Sequence, residues 1–197
     1  MPNQMSIDRR CALALLACLL AAPAAAQAPG VSRMTASAFS FAGLDGGDIR
    51  LAAYAGKPIL VVNTASQCGY TPQYAGLQEL WTRYRDRGLM IIAVPSNDFG
   101  GQEPGGASEI HATANHIYGI TFPLTEKAAV KGASPHPFYK WAASERPLDV
   151  PRWNFHKYLI GGDGLIANVF ASEIDPMDTT VIAAVTREIG NAARPTN

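Results

Sequence analysis

Cysteine is scarce in this chain of 197 residues, and its distribution is uneven. Only three cysteines are present, and Cys11 and Cys18 both fall within the first eighteen residues. Cys68 stands alone in the remainder, so a chain that has lost its N-terminal segment contains no second thiol for an internal disulfide. We expect the stability of the domain to come from packing instead.

Long runs of one charge are also absent. Sixteen basic and sixteen acidic side chains cancel, and no basic cluster is long enough to follow a phosphate backbone, so nucleic acid is not an expected partner. Metal ligands are sparse as well. His111 and His116 lie on different sides of a helical pattern without a second ligand cluster, so we expect no metal site.

The one long apolar stretch lies at the N-terminus and is typical of a targeting segment. Arg9-Arg10 forms a basic region, residues 11–22 are apolar but too few for a stable membrane anchor, and Ala24–Ala26 offers small residues for a signal peptidase. We expect cleavage after Ala26, because the other small-residue site would leave Pro29 directly after the cut. The mature protein is then periplasmic or secreted.

Two other interpretations of the leader stay open. Leu15–Cys18 is a weak lipobox that would leave a lipidated Cys18, and the paired arginines are compatible with the export route for folded proteins. The expected organisation is a signal peptide over residues 1–26, a flexible lead-in over 27–36 and one domain over 37–197. Removal of the leader leaves 14 basic and 15 acidic residues, a formal charge of −1.

The stretch from Asn63 to Pro72 organises the rest of the chain. Before it, residues 58–62 form an unbroken apolar run, which predicts a strand buried on both faces of a parallel sheet. After it, Thr71 as N-cap and Pro72 as first residue predict a helix that ends at Gly88. A second apolar strand follows over residues 89–95, so the unit is strand, helix, strand.

Cys68 lies in the first crossover loop of this unit. Loops at the carboxyl ends of parallel strands are where open α/β sheets bind ligands, and the amide groups at a helix start favour a thiolate. A buried, inert cysteine is the alternative. Gln67, Gly69 and Tyr70 form a polar, turn-forming setting rather than a core, which favours Cys68 as a nucleophile.

The remaining pattern predicts an α/β domain. Residues 39–51 alternate like a β-hairpin, and residues 96–106 form a glycine-rich loop. The other elements that we predict are helices over 107–118 and 134–143, a hairpin of strands 153–160 and 165–170, a short strand at 122–124, and a last helix that Asp175 opens and Gly190 closes.

Three stretches in this order resemble the glutathione peroxidase family. They are Asn63-Thr-Ala-Ser-Gln-Cys-Gly-Tyr-Thr71, Asn97-Asp-Phe-Gly-Gly-Gln-Glu-Pro-Gly105 and Trp153-Asn-Phe-His-Lys-Tyr-Leu-Ile160. The likeness runs from about Phe39 to Gly190. It implies a thioredoxin-like fold, in which a central mixed sheet is flanked by helices and preceded by the hairpin.

The resemblance also implies a catalytic set. Cys68 takes the place of the peroxide-reactive residue, and Gln102, Trp153 and Asn154 take the places of the side chains that surround it. Amide and indole N–H groups can donate to a thiolate and can steady the departing peroxide oxygen.

The chain departs from the family pattern in three places. Ser96 and Asp98 stand where the family usually has a cysteine and a glutamine, and the effect of Asp98 on the thiolate is open. Ala114 stands where members reduced by thioredoxin usually carry a resolving cysteine. The insertion that builds a tetramer in some members is absent between Trp141 and Trp153, so we expect a monomer.

These observations predict a peroxidase without a prosthetic group, which reduces hydrogen peroxide and organic hydroperoxides through a Cys68 sulfenic acid. Its partners are the hydroperoxide and an external thiol, with glutathione or another small thiol favoured over thioredoxin. A thioredoxin-type oxidoreductase lacks support because Thr71 replaces the second thiol of Cys-x-x-Cys, and a peroxiredoxin usually has threonine where Ala65 stands. The alternative from another class is a peroxide sensor that passes its oxidation to a partner protein.

Overall fold

The computed structural model describes residues 33–193. The predicted signal peptide and most of the predicted lead-in lie outside the described residues. Ala36 is buried, and its amide donates to the Gly164 carbonyl at 2.8 Å, so packed structure has begun by this residue. Within the described range, no helix combines the length and the apolar character that a membrane crossing requires.

The described residues form six strands and four α-helices. The strands are β1 (Ser40–Ala42), β2 (Asp48–Arg50), β3 (Ile59–Thr64), β4 (Met90–Pro95), β5 (Lys157–Ile160) and β6 (Ile166–Phe170). The α-helices are α1 (Gln73–Tyr84), α2 (Ala107–His111), α3 (Pro137–Glu145) and α4 (Thr179–Ala192). The predicted N-terminal hairpin is confirmed, because β1 and β2 pair antiparallel.

The central sheet is mixed, as expected. Its strand order is β4-β3-β5-β6, with β4 parallel to β3 and with β5 and β6 antiparallel to their neighbours. Every residue of β3 is buried, which is why its sequence shows no polar alternation. The strand–helix–strand unit from β3 through α1 to β4 is therefore confirmed.

Two apolar clusters cover the two faces of this sheet, because successive side chains of a strand point to opposite sides. Leu60 and Val62 pack with side chains of α1 and α4 in one cluster, which also contains Cys68. Ile59 and Val61 pack with side chains of α3 and of the hairpin in the other cluster.

The predicted start of α1 is wrong in detail. Thr71 does not cap the helix, which begins at Gln73 after Pro72 and has no side-chain cap. The Thr71 hydroxyl instead accepts the Cys68 amide at 3.1 Å, and it lies within donating distance of the Ala65 and Cys68 carbonyls. The Thr71 hydroxyl therefore stabilises the loop around Cys68, whereas the sequence pattern assigned it to the start of the helix.

The predicted start and end of the last helix also differ from those observed. Asp178, not Asp175, caps α4, because its carboxylate accepts the Thr180 amide at 2.8 Å. Asp175 makes an earlier turn by accepting the Met177 amide at 2.7 Å. The helix continues past Gly190 to Ala192, since Gly190 does not adopt the left-handed backbone that ends helices.

The predicted second helix is shorter than expected and changes character. After α2 the chain continues as a π-helical turn over Ala112–Ile117, which contains the buried Ala114. Single π-helical turns are rare and are frequent at functional sites. The expected third helix is shifted by a few residues, because the His136 side chain caps it by accepting the Phe138 amide.

The predicted C-terminal hairpin is confirmed between β5 and β6, although the first strand is shorter than expected. Residues 153–156 form a turn rather than a strand, and Phe155 has a left-handed backbone with φ of 63°. No full strand forms at residues 122–124. Leu124 instead makes an isolated bridge to Ala93 at the edge of β4.

Candidate active site

Cys68 lies in the loop that joins the carboxyl end of β3 to α1, where the sequence predicted it. Its thiol is free, and the residue is only 7% exposed. Among the hydrogen bonds of residues 33–193, one reaches Sγ: the Tyr70 amide donates to it at 3.4 Å. The loop thus directs a backbone N–H donor at the sulfur atom.

A second loop, between β4 and α2, lies directly beside the cysteine loop. The Gln67 amide donates to the Gln102 carbonyl at 2.9 Å, which ties the two loops together one residue from Cys68. Ser66 reinforces the junction because its hydroxyl donates to a Glu103 carboxylate oxygen at 3.1 Å. Gln102 therefore sits next to the thiol loop, as the sequence predicted.

The turn that carries Trp153 and Asn154 completes this neighbourhood. Asn154 is fully buried, and its side-chain amide donates to the Gln102 side-chain oxygen at 2.9 Å. Because Oε1 of Gln102 accepts this bond, Nε2 is the end of its amide that remains to donate to another group. The amide pair joins the second and third predicted stretches.

Trp153 lies at the surface of the site and is 39% exposed. Its ring packs beside Phe99, with centroids 6.2 Å apart, and lies over Gly100. A Cβ at Gly100 would lie 3.3 Å from the indole, and Gly100 has φ of 67°, so this position favours glycine for two separate reasons.

Asn63, near the end of β3, also holds the turn that carries Trp153 and Asn154. Its side-chain amide donates to the Trp153 carbonyl at 3.1 Å, and its own carbonyl accepts the Phe155 amide at 2.6 Å. The strand that leads to Cys68 therefore also holds the Trp153–Asn154 turn.

One expectation differs from the observed geometry. The sequence suggested that Gln102, Trp153 and Asn154 all donate to sulfur, but none of these bonds is present among the described residues, and the Asn154 amide bonds to Gln102 instead. A carbonyl oxygen is a stronger acceptor than a thiol sulfur, which explains why the Asn154 amide bonds to Gln102. The four residues are brought into one neighbourhood by the loop and turn contacts.

Asp98 does not act on the thiol through a direct contact. Its carboxylate accepts the Val130 amide at 2.6 Å and the Lys131 amide at 3.0 Å, so its charge is directed toward that loop. Ser96 is buried, and its hydroxyl accepts the Asp98 amide at 3.4 Å. Ser96 and Asp98, the two departures from the family pattern, thus stabilise the glycine-rich loop over residues 96–106.

Two buried charged residues near the site were missed by the sequence interpretation. Burial raises the pKa of Glu103, although the Ser66 hydrogen bond partly opposes this shift. Lys157 is fully buried, and burial lowers its pKa to about 7, against the nearby charges of Asp175 and Glu173. A lysine directly before the apolar residues Tyr158–Ile160 was the signal that could have identified the second of these.

An open groove of about 550 Å³ runs between Tyr70 and Trp153. Its walls come from residues 148–153, the end of β6 and the loop after it. The charged side chains Asp149, Arg152 and Glu173 line it together with apolar Leu148. The groove has room for a molecule larger than hydrogen peroxide next to Trp153.

Comparison with known proteins agrees with the three sequence stretches. The family model described as glutathione peroxidase matches residues 37–143. A hydroperoxy fatty acid reductase from Synechocystis sp. is 43% identical over 147 residues, which cover 70% of this chain and 87% of the relative. A glutathione peroxidase-like peroxiredoxin from Chlamydomonas reinhardtii is 44% identical over 124 residues, which cover 61% of this chain and 76% of the relative.

Solved structures confirm the expected thioredoxin-like fold. The crystal structure of Trgpx in its apo form aligns with a TM-score of 0.66 and 30% identity, over 82% of this chain and 100% of that chain. A thioredoxin family thiol:disulfide interchange protein from Chlorobium tepidum aligns with a TM-score of 0.56 over 77% of this chain and 93% of that chain. At 16% identity, the second likeness concerns the fold alone.

Proposed function

The chain belongs to the glutathione peroxidase family and is a thiol-dependent peroxidase, and we propose that Cys68 is its peroxide-reactive residue. The Cys68 thiolate attacks one oxygen of the hydroperoxide, so an S–O bond forms while the O–O bond breaks. The sulfur loses two electrons and becomes a sulfenic acid. The departing oxygen takes up the proton released by the thiol and leaves as water or an alcohol.

External thiols complete the cycle in this proposal. A first thiol attacks the sulfenic sulfur, forms a mixed disulfide with Cys68 and releases water. A second thiol attacks the mixed disulfide at the sulfur of the first thiol. Cys68 is regenerated, and the two external thiols leave joined to each other as a disulfide. Glutathione or a similar small thiol is the proposed donor, because Cys68 is the sole cysteine within residues 33–193.

The observation that carries the proposal is the contact between the thiol loop and the Gln102 loop. The Gln67 amide and the Asn154–Gln102 bond hold Gln102 and Asn154 beside the segment that contains Cys68. We assign these two amides and the Trp153 indole as donors that stabilise the thiolate and the departing oxygen. The Tyr70 amide, already directed at Sγ, acts with them.

The groove beside Trp153 supports a broad choice of hydroperoxide. One relative is named a hydroperoxy fatty acid reductase, and the groove, with a volume of about 550 Å³, is lined by Tyr70 and Trp153 next to the site. We therefore propose organic hydroperoxides as substrates together with hydrogen peroxide.

A coupled assay tests this function. Hydrogen peroxide and an organic hydroperoxide are each combined with glutathione and with thioredoxin, with the wild-type protein and Cys68→Ser measured in parallel. We expect turnover with glutathione and none in Cys68→Ser. Full activity in Cys68→Ser would eliminate the mechanism.

The same assay distinguishes a peroxide sensor from a peroxidase. A sensor would react with peroxide once, turn over slowly with every reductant and trap a mixed disulfide with one partner protein. The proposal of an enzyme requires repeated turnover with a small thiol.

We further propose that the mature protein is exported, monomeric and located in the periplasm or outside the cell. This rests on the sequence pattern of residues 1–26, which lies outside the described residues, and on the short connection before Trp153.

A further inference from the structure

Lys157 is a charged residue at the first position of β5, where it is fully buried. Its ammonium group donates to the Phe155 carbonyl and to the Ile174 carbonyl, both at 2.7 Å. Burial of a charge is unfavourable unless hydrogen bonds compensate it. The position of this lysine therefore calls for an explanation beyond the packing of β5.

The Phe155 carbonyl belongs to an unusual piece of backbone. Phe155 has φ of 63°, and it is the single residue other than glycine with positive φ in the described part of the chain. Bulky residues rarely adopt this conformation, which persists only where neighbouring contacts enforce it. The residue directly before it is Asn154, so the direction of the Asn154 side chain depends on this backbone.

Several contacts enforce the conformation of Phe155. The Asn63 carbonyl accepts its amide, and its ring packs edge-on against Tyr74 with centroids 5.3 Å apart. These contacts fix the amide and the ring of Phe155. Only Lys157 contacts its carbonyl among the hydrogen bonds of the described residues.

We infer that Lys157 is a positioning residue for peroxide reduction, which acts by holding the Phe155 carbonyl and thereby the Trp153–Asn154 pair beside Gln102. Its second bond, to Ile174, anchors this turn to the loop that follows β6. The inference rests on the proposed function, because it presumes that Asn154 and Trp153 assist the reaction at Cys68.

The burial of Lys157 makes its protonation sensitive to pH near neutrality. Burial lowers the pKa of Lys157 to about 7, whereas the carboxylates of Asp175 and Glu173 act to raise it. His156 is the other titratable neighbour, and burial together with the Lys157 charge lowers its pKa to about 4. His156 is therefore neutral in the pH range where Lys157 changes charge.

A double-mutant cycle tests the inference. The second-order rate constant for reaction with hydrogen peroxide is measured in Lys157→Met, in Asn154→Ala and in the double variant, with exposed Lys140→Met as control. Lys157→Met keeps the length of the side chain but cannot donate. We expect it to react at least tenfold more slowly than wild type, and we expect the double variant to be no slower than the slower single variant.

The outcomes distinguish a failure of the donor roles from a failure of the role of Lys157. Wild-type rates in both Asn154→Ala and Trp153→Phe would contradict the donor roles that the proposed function gives to these two residues. Slow Asn154→Ala together with a wild-type rate in Lys157→Met, or with losses that multiply in the double variant, would overturn the role of Lys157 alone.

A measurement on the wild-type protein covers the case in which Lys157→Met does not fold. In nitrogen-15 NMR at pH 6, a buried ammonium group bonded to two carbonyls exchanges slowly with water and gives its own signal. We expect one such lysine signal, and we expect the Trp153 indole signal to shift with a midpoint near pH 7 as the ammonium loses its proton. The absence of a protected lysine signal, or a Trp153 signal that stays unchanged across the pH range in which the lysine signal itself titrates, would overturn the inference.

Discussion

At the scale of single residues, the site depends on hydrogen bonds between loops. The Asn154–Gln102 bond and the Gln67–Gln102 bond connect three segments that are far apart in sequence. The sequence predicted the identity of these side chains through resemblance. It could not predict that Asn154 bonds to Gln102, because that choice depends on the conformation of the turn at Phe155.

Gln102→Ala tests the donor role of the amide. The substitution removes both the Nε2 donor and the acceptor of Asn154, so we expect peroxide reduction to slow by about tenfold to a thousandfold. Trp153→Phe keeps a ring but removes the indole N–H and should slow the reaction in the same direction. Rates are measured by stopped flow, with Gln78→Ala, an amide change at a half-buried position of α1, as control. An unaltered rate in Gln102→Ala would contradict the assignment.

His156 contributes a pH dependence of stability. Burial and the Lys157 charge lower its pKa to about 4 in the folded protein, whereas the unfolded chain keeps about 6.5. The unfolded state therefore binds the proton more readily, and folding stability is lost as the pH falls from about 6.5 toward about 4.

His156→Phe removes this contribution and retains an aromatic ring near Tyr158. In urea denaturation, we expect the loss of stability between pH 7 and pH 4 to be smaller in this variant by up to about 3 kcal/mol. The exposed His116→Phe serves as control and should follow wild type. Parallel curves for His156→Phe and wild type would refute the shift.

At the scale of helices and strands, the apolar periodicity predicted most of the fold. The unbroken apolar runs predicted β3 and β4 because strands buried on both faces need no polar alternation. The ends of helices were less predictable, because several hydroxyl and carboxylate groups compete for the same amides. Thr71 was assigned to a helix start but bonds to Cys68, and Asp178 displaced Asp175 as the cap of α4.

The π-helical turn could not be predicted from the sequence for a related reason. Residues 107–118 have ordinary helical spacing, and the change of winding after His111 depends on polar side-chain contacts that the apolar spacing does not show. Asn115 donates to the Ile120 carbonyl and accepts a bond from His111, so the end of this segment is held by side chains.

Ala114→Cys tests whether this turn can move. Ala114 and Cys68 belong to the same apolar cluster on one face of the sheet, and an irregular turn needs less energy to unwind than a regular helix. We expect peroxide to produce an internal disulfide between positions 68 and 114 and to improve turnover with thioredoxin. Peptide mapping under non-reducing conditions detects the bond.

The matched control is Ala142→Cys, a buried alanine in the cluster on the opposite face of the sheet. It should form no disulfide with Cys68. Failure of Ala114→Cys to form the bond in a folded, peroxide-reactive variant would show that the turn stays closed.

At the scale of the whole molecule, the proposed cleavage of the leader would determine which thiols the protein contains. If the leader is cleaved after Ala26, Cys11 and Cys18 are lost, and Cys68 has no internal partner. N-terminal sequencing of the exported protein should therefore begin at Gln27. A lipid on Cys18 would contradict this and would assign the protein to a membrane surface.

A peroxidase with one thiol is susceptible to overoxidation by its own substrate. Its sulfenic acid must wait for an outside thiol, and excess peroxide can carry it on to sulfinic acid during that time. The shielding of Cys68, which is only 7% exposed, limits the approach of large reductants more than that of small thiols. The same shielding leads us to expect poor turnover with thioredoxin alone.

The most direct test of the central claim is mass spectrometry of the mature protein after one equivalent of peroxide. The account predicts one added oxygen, mapped to Cys68, which glutathione converts into a mixed disulfide at the same residue. A protein that consumes peroxide while Cys68 stays unmodified, or whose added oxygen maps to another residue, would contradict the account.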